Sequence, residues 1–221
     1  MQVMTVDEEN ELPLSEALMR AAADTDDEAL ARLYEWIART YSSHEYAKIR
    51  VDHEGKVSPK FLAICERMRR LMPIAKWLSW DTKSNLKTLD LGSGAGHMGM
   101  LANFFGHSAL GIDNSSRYDR LREFWMQPAT HYRIDPWAPL PPPLGRFHSI
   151  TSILTNYGRR WALAEWQDFL DRVTEYHLEP DGEFVIHFPG DQMLENREFL
   201  RARASRIEAD GRYMFFARKE V

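Results

Sequence analysis

Residues 89–105 read LDLGSGAGHMGMLANFF, and the fold turns on which of these glycines shape the loop. Gly92, Gly94 and Gly96 fall as GxGxG, while Gly94, Gly96 and Gly99 fall as GxGxxG. A glycine turn between a strand and a helix lets backbone approach a ligand closely and aims the helix's free N–H groups at a bound anion. The flanks supply both elements. Leu86 to Leu91 predicts a strand, and Met98, Leu101, Ala102 and Phe105 share one face of a helix that Gly106 stops.

Outward from this unit, strands alternate with amphipathic helices, the pattern of an α/β, doubly wound, mostly parallel sheet. SALGID predicts a second strand ending at Asp113, and Tyr118, Leu121 and Trp125 align on the next helix. A short third strand is expected at His131–Ile134, followed by a loop, DPWAPLPPPLG, whose prolines remove backbone donors. FHSITSIL predicts strand four. A helix from Trp161 to His177 is expected to bury Leu163, Trp166, Leu170 and Val173, and LEPDG to turn into strand five, EFVIHF. A helix over Gln192–Arg203 and a hairpin around Asp210 and Gly211 close the chain.

The first 80 residues read as a helical cover and 81–221 as the ligand-binding domain. DEALARLYEWIARTY places Leu30, Leu33, Tyr34, Ile37 and Tyr41 on one face. Ser58 and Pro59 form a plausible cap and first helical position for a helix carrying Phe61, Ile64, Cys65, Met68 and Met72, which Pro73 should kink or restart. YSSHEYAKIRVDHEG, between these helices, reads as a polar stretch suited to a lid.

Composition narrows the function classes. At 221 residues, 44% hydrophobic and 28% charged, the chain can bury one sizeable core with a small appendage. A formal charge of −5 offers no general attraction to a phosphate backbone, so a small-molecule substrate is expected rather than nucleic acid. The lone Cys65 forms no internal disulfide, no Cys/His spacing marks a zinc site, and no metal is expected. The acidic start, MQVMTVDEENELPL, lacks the features of a secretory signal, and no stretch reaches membrane-spanning length. The expectation is a cytoplasmic protein without a membrane partner, its oligomeric state open and a homodimer possible.

Charge chooses between the two glycine patterns. Asp90 stands two residues before Gly92, so its carboxylate should lie beside the ligand. A dinucleotide would bring a doubly negative pyrophosphate to that carboxylate. S-adenosylmethionine brings an ammonium and a sulfonium, which Asp90 attracts, and a carboxylate for the loop amides. Register agrees, because the dinucleotide pattern begins only at Gly94, two residues late. Asp113 can accept from ribose hydroxyls, and Asp135 from the adenine amino group with Ile134 or Trp137 on the ring face. The plain structural alternative has the three acids capping turns and helices.

With those residues in place, the chain resembles the class I S-adenosylmethionine-dependent methyltransferases. The matching pieces are TLDLGSGAGHMGMLA, ALGIDNS, YRIDPW, FHSITSILTNYG and LEPDGEFVIHF. The resemblance implies a Rossmann-like seven-stranded sheet with an antiparallel last strand, S-adenosyl-L-methionine as cofactor, and methyl transfer. The cofactor set it implies is Asp90, Leu91, Gly92, Ser93, Gly94, Gly96, Asp113, Asn114, Ile134, Asp135 and Thr155. Strand four lacks the Asn/Asp-Pro-Pro-aromatic motif of amino-methylating DNA enzymes, which removes one indicator of nucleic-acid substrates.

Methyl transfer from a sulfonium asks for alignment and, with a hydroxyl or ammonium acceptor, a proton acceptor. Candidates are Asn156 and Tyr157 after strand four, His187 at the end of strand five, and His44 and Tyr46 on the cover, with Arg50 and His53 nearby. His97, at a helix start, reads as structural. RMRR from Arg67 reads as a solvated helix face. Two other readings stay open: an NAD-dependent oxidoreductase, on GAGHMG, and a methyltransferase-like binding module without turnover.

Overall fold

The computed structural model describes residues 5–53, 56, 58–141, 144–155, 157, 161–187 and 196–218. Five helices come first: α1 (Val6–Glu11), α2 (Leu14–Ala23), α3 (Glu28–Thr40), α4 (Ser43–His53) and α5 (Ile64–Trp77). The alternating part follows as β1 (Lys87–Leu91), α6 (His97–Phe104), β2 (Ser108–Asp113), α7 (Asp119–Phe124), β3 (Ala129–His131), β4 (Phe147–Ser152), α8 (Leu163–Arg172), β5 (Leu178–His187), α9 (Arg197–Arg203), β6 (Arg206–Glu208) and β7 (Tyr213–Ala217). The strands form one sheet in the order β3-β2-β1-β4-β5-β7-β6. Pairing is parallel from β3 through β5, and β7 runs antiparallel to both β5 and β6. This is the seven-stranded, doubly wound sheet the sequence implies. No helix among the described residues is long and apolar enough to cross a membrane.

Alternation within the strands decides what each face carries. Leu89 and Leu91 of β1, Ile150 of β4 and Phe184 and Ile186 of β5 pack against α8 and α9 residues such as Trp166, Phe169 and Leu200. The intervening positions, Thr88, Asp90, Ser149, Thr151, Val185 and His187, therefore face the helical cover. That face joins the cluster containing the buried stripes of α2, α3 and α5. Among its polar members, Trp80 Nε1 donates to Ser149 Oγ at 3.1 Å, and Thr151 Oγ1 donates to Asp90 Oδ1 at 2.7 Å.

Several sequence expectations are corrected. α5 passes through Pro73 unbroken. A proline inside a helix costs about 3 kcal/mol, and burial of Met68, Leu71, Met72, Ile74 and Ala75 along the same helix offsets it. Ser58 and Pro59 begin a separate 3-10 turn, Pro59–Phe61, rather than α5 itself. The stretch read as a polar lid is α4, with Tyr46, Ile49 and His53 buried. β3 lies at Ala129–His131, before the predicted His131–Ile134. Leu163, at the first turn of α8, is 47% exposed rather than buried. LEPDG is no turn but a bulged part of β5, since Phe147 pairs with Leu178 and Ser149 next with Glu183. Residues 192–195 of the last predicted helix and Phe188 of strand five lie outside the described residues.

The cover is tied to α5 by polar contacts made inside it. Glu9 is 5% exposed, and its carboxylate accepts from the first-turn N–H groups of Cys65 at 2.7 Å and Glu66 at 3.3 Å. A side chain from α1 thus caps a helix that its own N-cap, Ala63, cannot cap. Tyr34 and Tyr46 donate to the carbonyls of Cys65 and Leu62 at 2.7 and 2.6 Å. Glu9→Ala is expected to lower unfolding free energy by about 1–3 kcal/mol, the scale of orphaned buried N–H groups, with Glu9→Gln recovering most of it. Denaturant titration checks this, and an unchanged midpoint for Glu9→Ala would contradict it.

Candidate functional site

The turn after β1 begins as the strand ends. Gly92, Gly94 and Gly96 all have positive φ, at +75°, +51° and +83°, so the GxGxG register forms the loop. Gly99 instead lies inside α6, where an added Cβ would stand 2.1 Å from Gln127 Oε1. At Gly92 an added Cβ would stand 2.4 Å from the Thr155 side chain. Two constraints, positive φ and that close approach, therefore fix glycine there. The N–H groups of Gly92 and Ser93 both donate to Ile112 O, at 2.7 and 3.0 Å, which sets the loop over the end of β2.

Acids and one arginine brace the turn. Asp113 Oδ2 accepts from Gly94 N–H at 2.8 Å and Oδ1 from Ser115 N–H at 2.7 Å. Arg122 of α7, 3% exposed, donates through Nη1 to Gly94 O at 2.8 Å and through Nη2 to Ser115 O at 2.9 Å, and pairs with Asp119. Thr155 Oγ1 donates to Leu91 O at 2.7 Å and accepts from Ser152 Oγ at 2.9 Å. The loop is therefore held in shape before any ligand arrives.

Above it opens a cavity of about 410 Å³ whose walls include Asp90, Gly92, Ser93, Gly94, Asp113, Asn114, Ile134, Thr155 and Tyr157. Eight of the eleven expected cofactor residues are thus brought together. Leu91 and Gly96 stand behind the loop, one in the apolar layer and the other against Gln127 and Arg122. Asp135 is not brought to the cavity: it is exposed, its Oδ1 accepting from Trp137 N–H at 2.8 Å. The local turn uses that carboxylate, although Ile134 beside it lines the cavity.

The catalytic candidates separate more sharply. Tyr157 lines the cavity, its hydroxyl in contact with Ser152 Oγ, and burial holds its phenol well above the usual range. His187 faces the cover beside Tyr213, with ring centroids 4.6 Å apart and a buried Nδ1 that has no partner among the described residues. Burial, with Arg212 and Arg67, pushes its imidazolium down to about 4. His44 is exposed on α4, outside the cavity walls. Tyr46 is 2% exposed in the core, stacked on Phe124 at 5.5 Å, because helical α4 turns it inward. Arg50 donates to Leu12 O at 3.1 Å, and His53 Nε2 lies 3.2 Å from Arg117 O, both contacts that pack the cover. Asn156 lies outside the described residues.

Two groups of the cavity, Arg67 and Tyr118, went unread in the sequence. Arg67 projects from α5 into the cavity wall, its guanidinium 5.5 Å from the Phe61 ring centroid, so RMRR is not simply a solvated face. Tyr118 joins it there, as does His97, which the sequence reads as structural on the cofactor side. His97 is 3% exposed, and burial and Arg67 hold its imidazolium well below the usual range, so the ring is neutral. An arginine amid RMRR carries no local signal that one of its members turns inward. Only the placement of α5 beside the cavity at the end of β1 does that.

The fit to S-adenosylmethionine can be tested on these residues. Asp90 is 7% exposed, and burial pushes its carboxyl up to about 7, against the pull of Thr151 and Arg67. A buried acid beside an open cavity gains from a cation placed against it. The cradle at Gly92 and the first turn of α6, which opens beyond it at His97, complete the set. The residues present fit that cofactor.

No protein-family model matches the chain, and no curated protein matches it. Among solved structures, it is similar to a ribosomal protein methylase from Lactobacillus delbrueckii subsp. bulgaricus, at 17% identity over 68% of this chain and 80% of that one, with a TM-score of 0.49. It is similar to a TehB-like SAM-dependent methyltransferase from Corynebacterium glutamicum, at 19% identity over 72% and 98% of the two chains, with a TM-score of 0.49. A 16S rRNA methyltransferase of T. Thermophilus, solved with AdoMet and guanosine, shares 21% identity over 75% of this chain and 44% of that one, with a TM-score of 0.49.

Two outcomes follow from the geometry. Gly92→Ala meets both the +75° φ and Thr155, and is expected to lower the melting temperature by several degrees; calorimetry showing no change would contradict the placement. The second outcome concerns Asp90, whose carboxyl sits near 7 against 3.8 as its ordinary value. Between those values the folded chain holds a proton the unfolded chain has released, so stability falls as pH rises through that window. Asp90→Asn is therefore expected to stabilise the ligand-free protein at pH 8 by about 1–3 kcal/mol and to change little at pH 5. Urea unfolding at the two pH values reads this, and a less stable variant at pH 8 would oppose it.

Proposed function

We propose that the chain is an S-adenosylmethionine-dependent methyltransferase acting on a small molecule or biosynthetic intermediate. The observation that carries this reading is the buried carboxyl of Asp90 directly beneath a glycine turn that opens at Gly92. A pyrophosphate there would confront the carboxylate, whereas an ammonium relieves it. The GxGxxG alternative would begin only at Gly94, inside a turn that Gly92 has already opened as β1 ends. A cavity of about 410 Å³ between the cover and the sheet edge suits a cofactor with a compact acceptor.

In this reading Asp90 holds the ammonium, and N–H groups at the start of α6 hold the carboxylate. Asp113, already oriented by two N–H groups, keeps lone pairs for ribose hydroxyls, with Asn114 beside it. Ile134 packs on the adenine face. Leu91, Ser93, Gly94, Gly96 and Thr155 shape the backbone on which the cofactor lies, and Asp135 is left out of the set. When bound, the cofactor supplies an electrophilic methyl: the acceptor's lone pair bonds its carbon as the C–S pair returns to sulfur, and a hydroxyl or protonated amine acceptor releases a proton. The chain supplies alignment, which alone lowers the barrier substantially. Tyr157 keeps its own proton and orients the acceptor by hydrogen bonding. His187 stands outside the cavity walls, and burial beside Arg212 and Arg67 disfavours its taking a proton. His44 and Tyr46 have no part.

Titration calorimetry with S-adenosylhomocysteine and with NADH tests the cofactor. Micromolar binding of the first and none of the second is expected, with Asp90→Asn weaker by about 1–3 kcal/mol; the reverse order of ligands would overturn the reading. Deuteromethyl cofactor incubated with protein and cell extract then locates the acceptor. A mass shift in a small metabolite is expected, and label found only in RNA or protein would contradict the substrate half.

A further inference from the structure

Three side-chain hydroxyls run in a line from the cavity wall to the last residue of β1, and each has a single proton to give. The Leu91 carbonyl can only accept, so Thr155 Oγ1, 2.7 Å away, gives its proton there. Ser152 Oγ, 2.9 Å from Thr155 Oγ1, must then give its own proton to that oxygen. Tyr157 Oη, in contact with Ser152 Oγ, is left as the donor of its pair. The phenolic proton therefore points into the wall, and Oη keeps only lone pairs for the cavity that Tyr157 lines. A hydroxyl held in this way accepts a hydrogen bond and has none to donate.

The same line is closed to proton transfer, because it ends on a carbonyl oxygen rather than on a base. Among the described residues of the cavity wall, the side chains able to take a proton near neutrality are Asp90, Asp113 and His97. Asp90 faces the cofactor's ammonium in the reading above. Asp113 already accepts from two N–H groups, and burial with the charge of Arg67 opposes protonation of His97. We propose that the methyl acceptor is a neutral nitrogen that carries hydrogen, an arylamine or another weakly basic amine, which donates an N–H to Tyr157 Oη and attacks through its own lone pair. The proposal rests on the methyltransferase reading above and adds the acceptor atom. The nitrogen lone pair bonds the methyl carbon as the C–S pair returns to sulfur, giving a methylated ammonium and a neutral thioether; the ammonium then loses its proton to water. No proton has to leave before the new bond forms, whereas a hydroxyl acceptor would ask for a base at that moment. Weak basicity matters, since an alkylammonium such as that of lysine holds its lone pair in a bond to hydrogen at neutral pH. A thioether or a carboxylate acceptor would set lone pairs against those of Oη.

The test uses the full chain saturated with S-adenosylhomocysteine and three ring probes: aniline, which donates through N–H, pyridine, which only accepts, and toluene, which does neither. Ligand-observed NMR is expected to show aniline binding about five-fold tighter than toluene, the scale of one hydrogen bond, and pyridine no tighter than toluene. Tyr157→Phe should make the three probes equal. Ser152→Ala frees the phenolic proton to turn toward the cavity, so pyridine should gain on toluene by a similar factor, which loss of packing alone would not produce. Melting temperatures show whether both variants fold, and the wild-type series stands without them. Equal binding of aniline and toluene, a wild-type preference for pyridine, an aniline preference surviving in Tyr157→Phe, or no gain for pyridine in a folded Ser152→Ala overturns the proposal. With deuteromethyl cofactor and cell extract, fragment masses should place the label on nitrogen; label on oxygen, carbon or sulfur overturns the acceptor atom. Failure of the wild type to bind S-adenosylhomocysteine refutes the methyltransferase reading instead, and the probe series on the free protein then decides the polarity of Tyr157 by the same criteria.

Discussion

A carboxyl group sealed at the end of the central strand sets the terms for the rest of the structure. Asp90 occupies a position that strand alternation turns toward the cover, where Thr151 donates to it and burial raises it to about 7. Such a group is a burden to an empty protein and an asset to one with a cation bound beside it. The loop over it is accordingly fixed by contacts that need no ligand: the Ile112 carbonyl, Asp113, and the buried Arg122. Stability given up at Asp90 is thereby convertible into binding selectivity.

The helical cover is a wall of the site as well as a lid on the core. α5 packs its apolar face on the sheet and presents Arg67 to the cavity. Glu9, Tyr34 and Tyr46 fix the N-terminal turn of that helix and the approach to it through bonds to backbone groups. Residues remote from the cavity thus determine where the guanidinium sits. Tyr46, read from the sequence as a catalytic candidate, contributes in this indirect way.

What the sequence made legible was local. The apolar face of α3 with Leu30, Leu33, Tyr34 and Ile37, the bounds of β2 at Ser108–Asp113, and the turn opening at Gly92 all follow from short-range chemistry, and the structure agrees. Elements whose form depends on distant packing were misread. α4 has only three buried side chains and no strong apolar stripe, so its polarity concealed a helix. β3 is three residues at a sheet edge, too short for alternation to locate. α5 tolerates Pro73 because of what it packs against. In the site, Asp90, Asp113 and the glycines were readable from spacing, whereas Arg67 and Arg122 were not: each is a charged side chain on a helix, and only tertiary placement turns it inward. Asp135 has comparable spacing, and in the structure its carboxylate accepts from the Trp137 N–H instead of lining the cavity.

The central claim is that a cation on the ligand meets the Asp90 carboxylate. Calorimetric affinity for S-adenosylhomocysteine, measured from pH 5.5 to 7.5 on the wild type and on Asp90→Asn, addresses it most directly. Below its value of about 7, Asp90 must lose a proton before an ammonium can pair with it. Wild-type affinity should therefore climb by up to about ten-fold per pH unit toward neutrality, while the variant stays flat. A flat wild-type profile, or an equal climb in Asp90→Asn, would contradict the account.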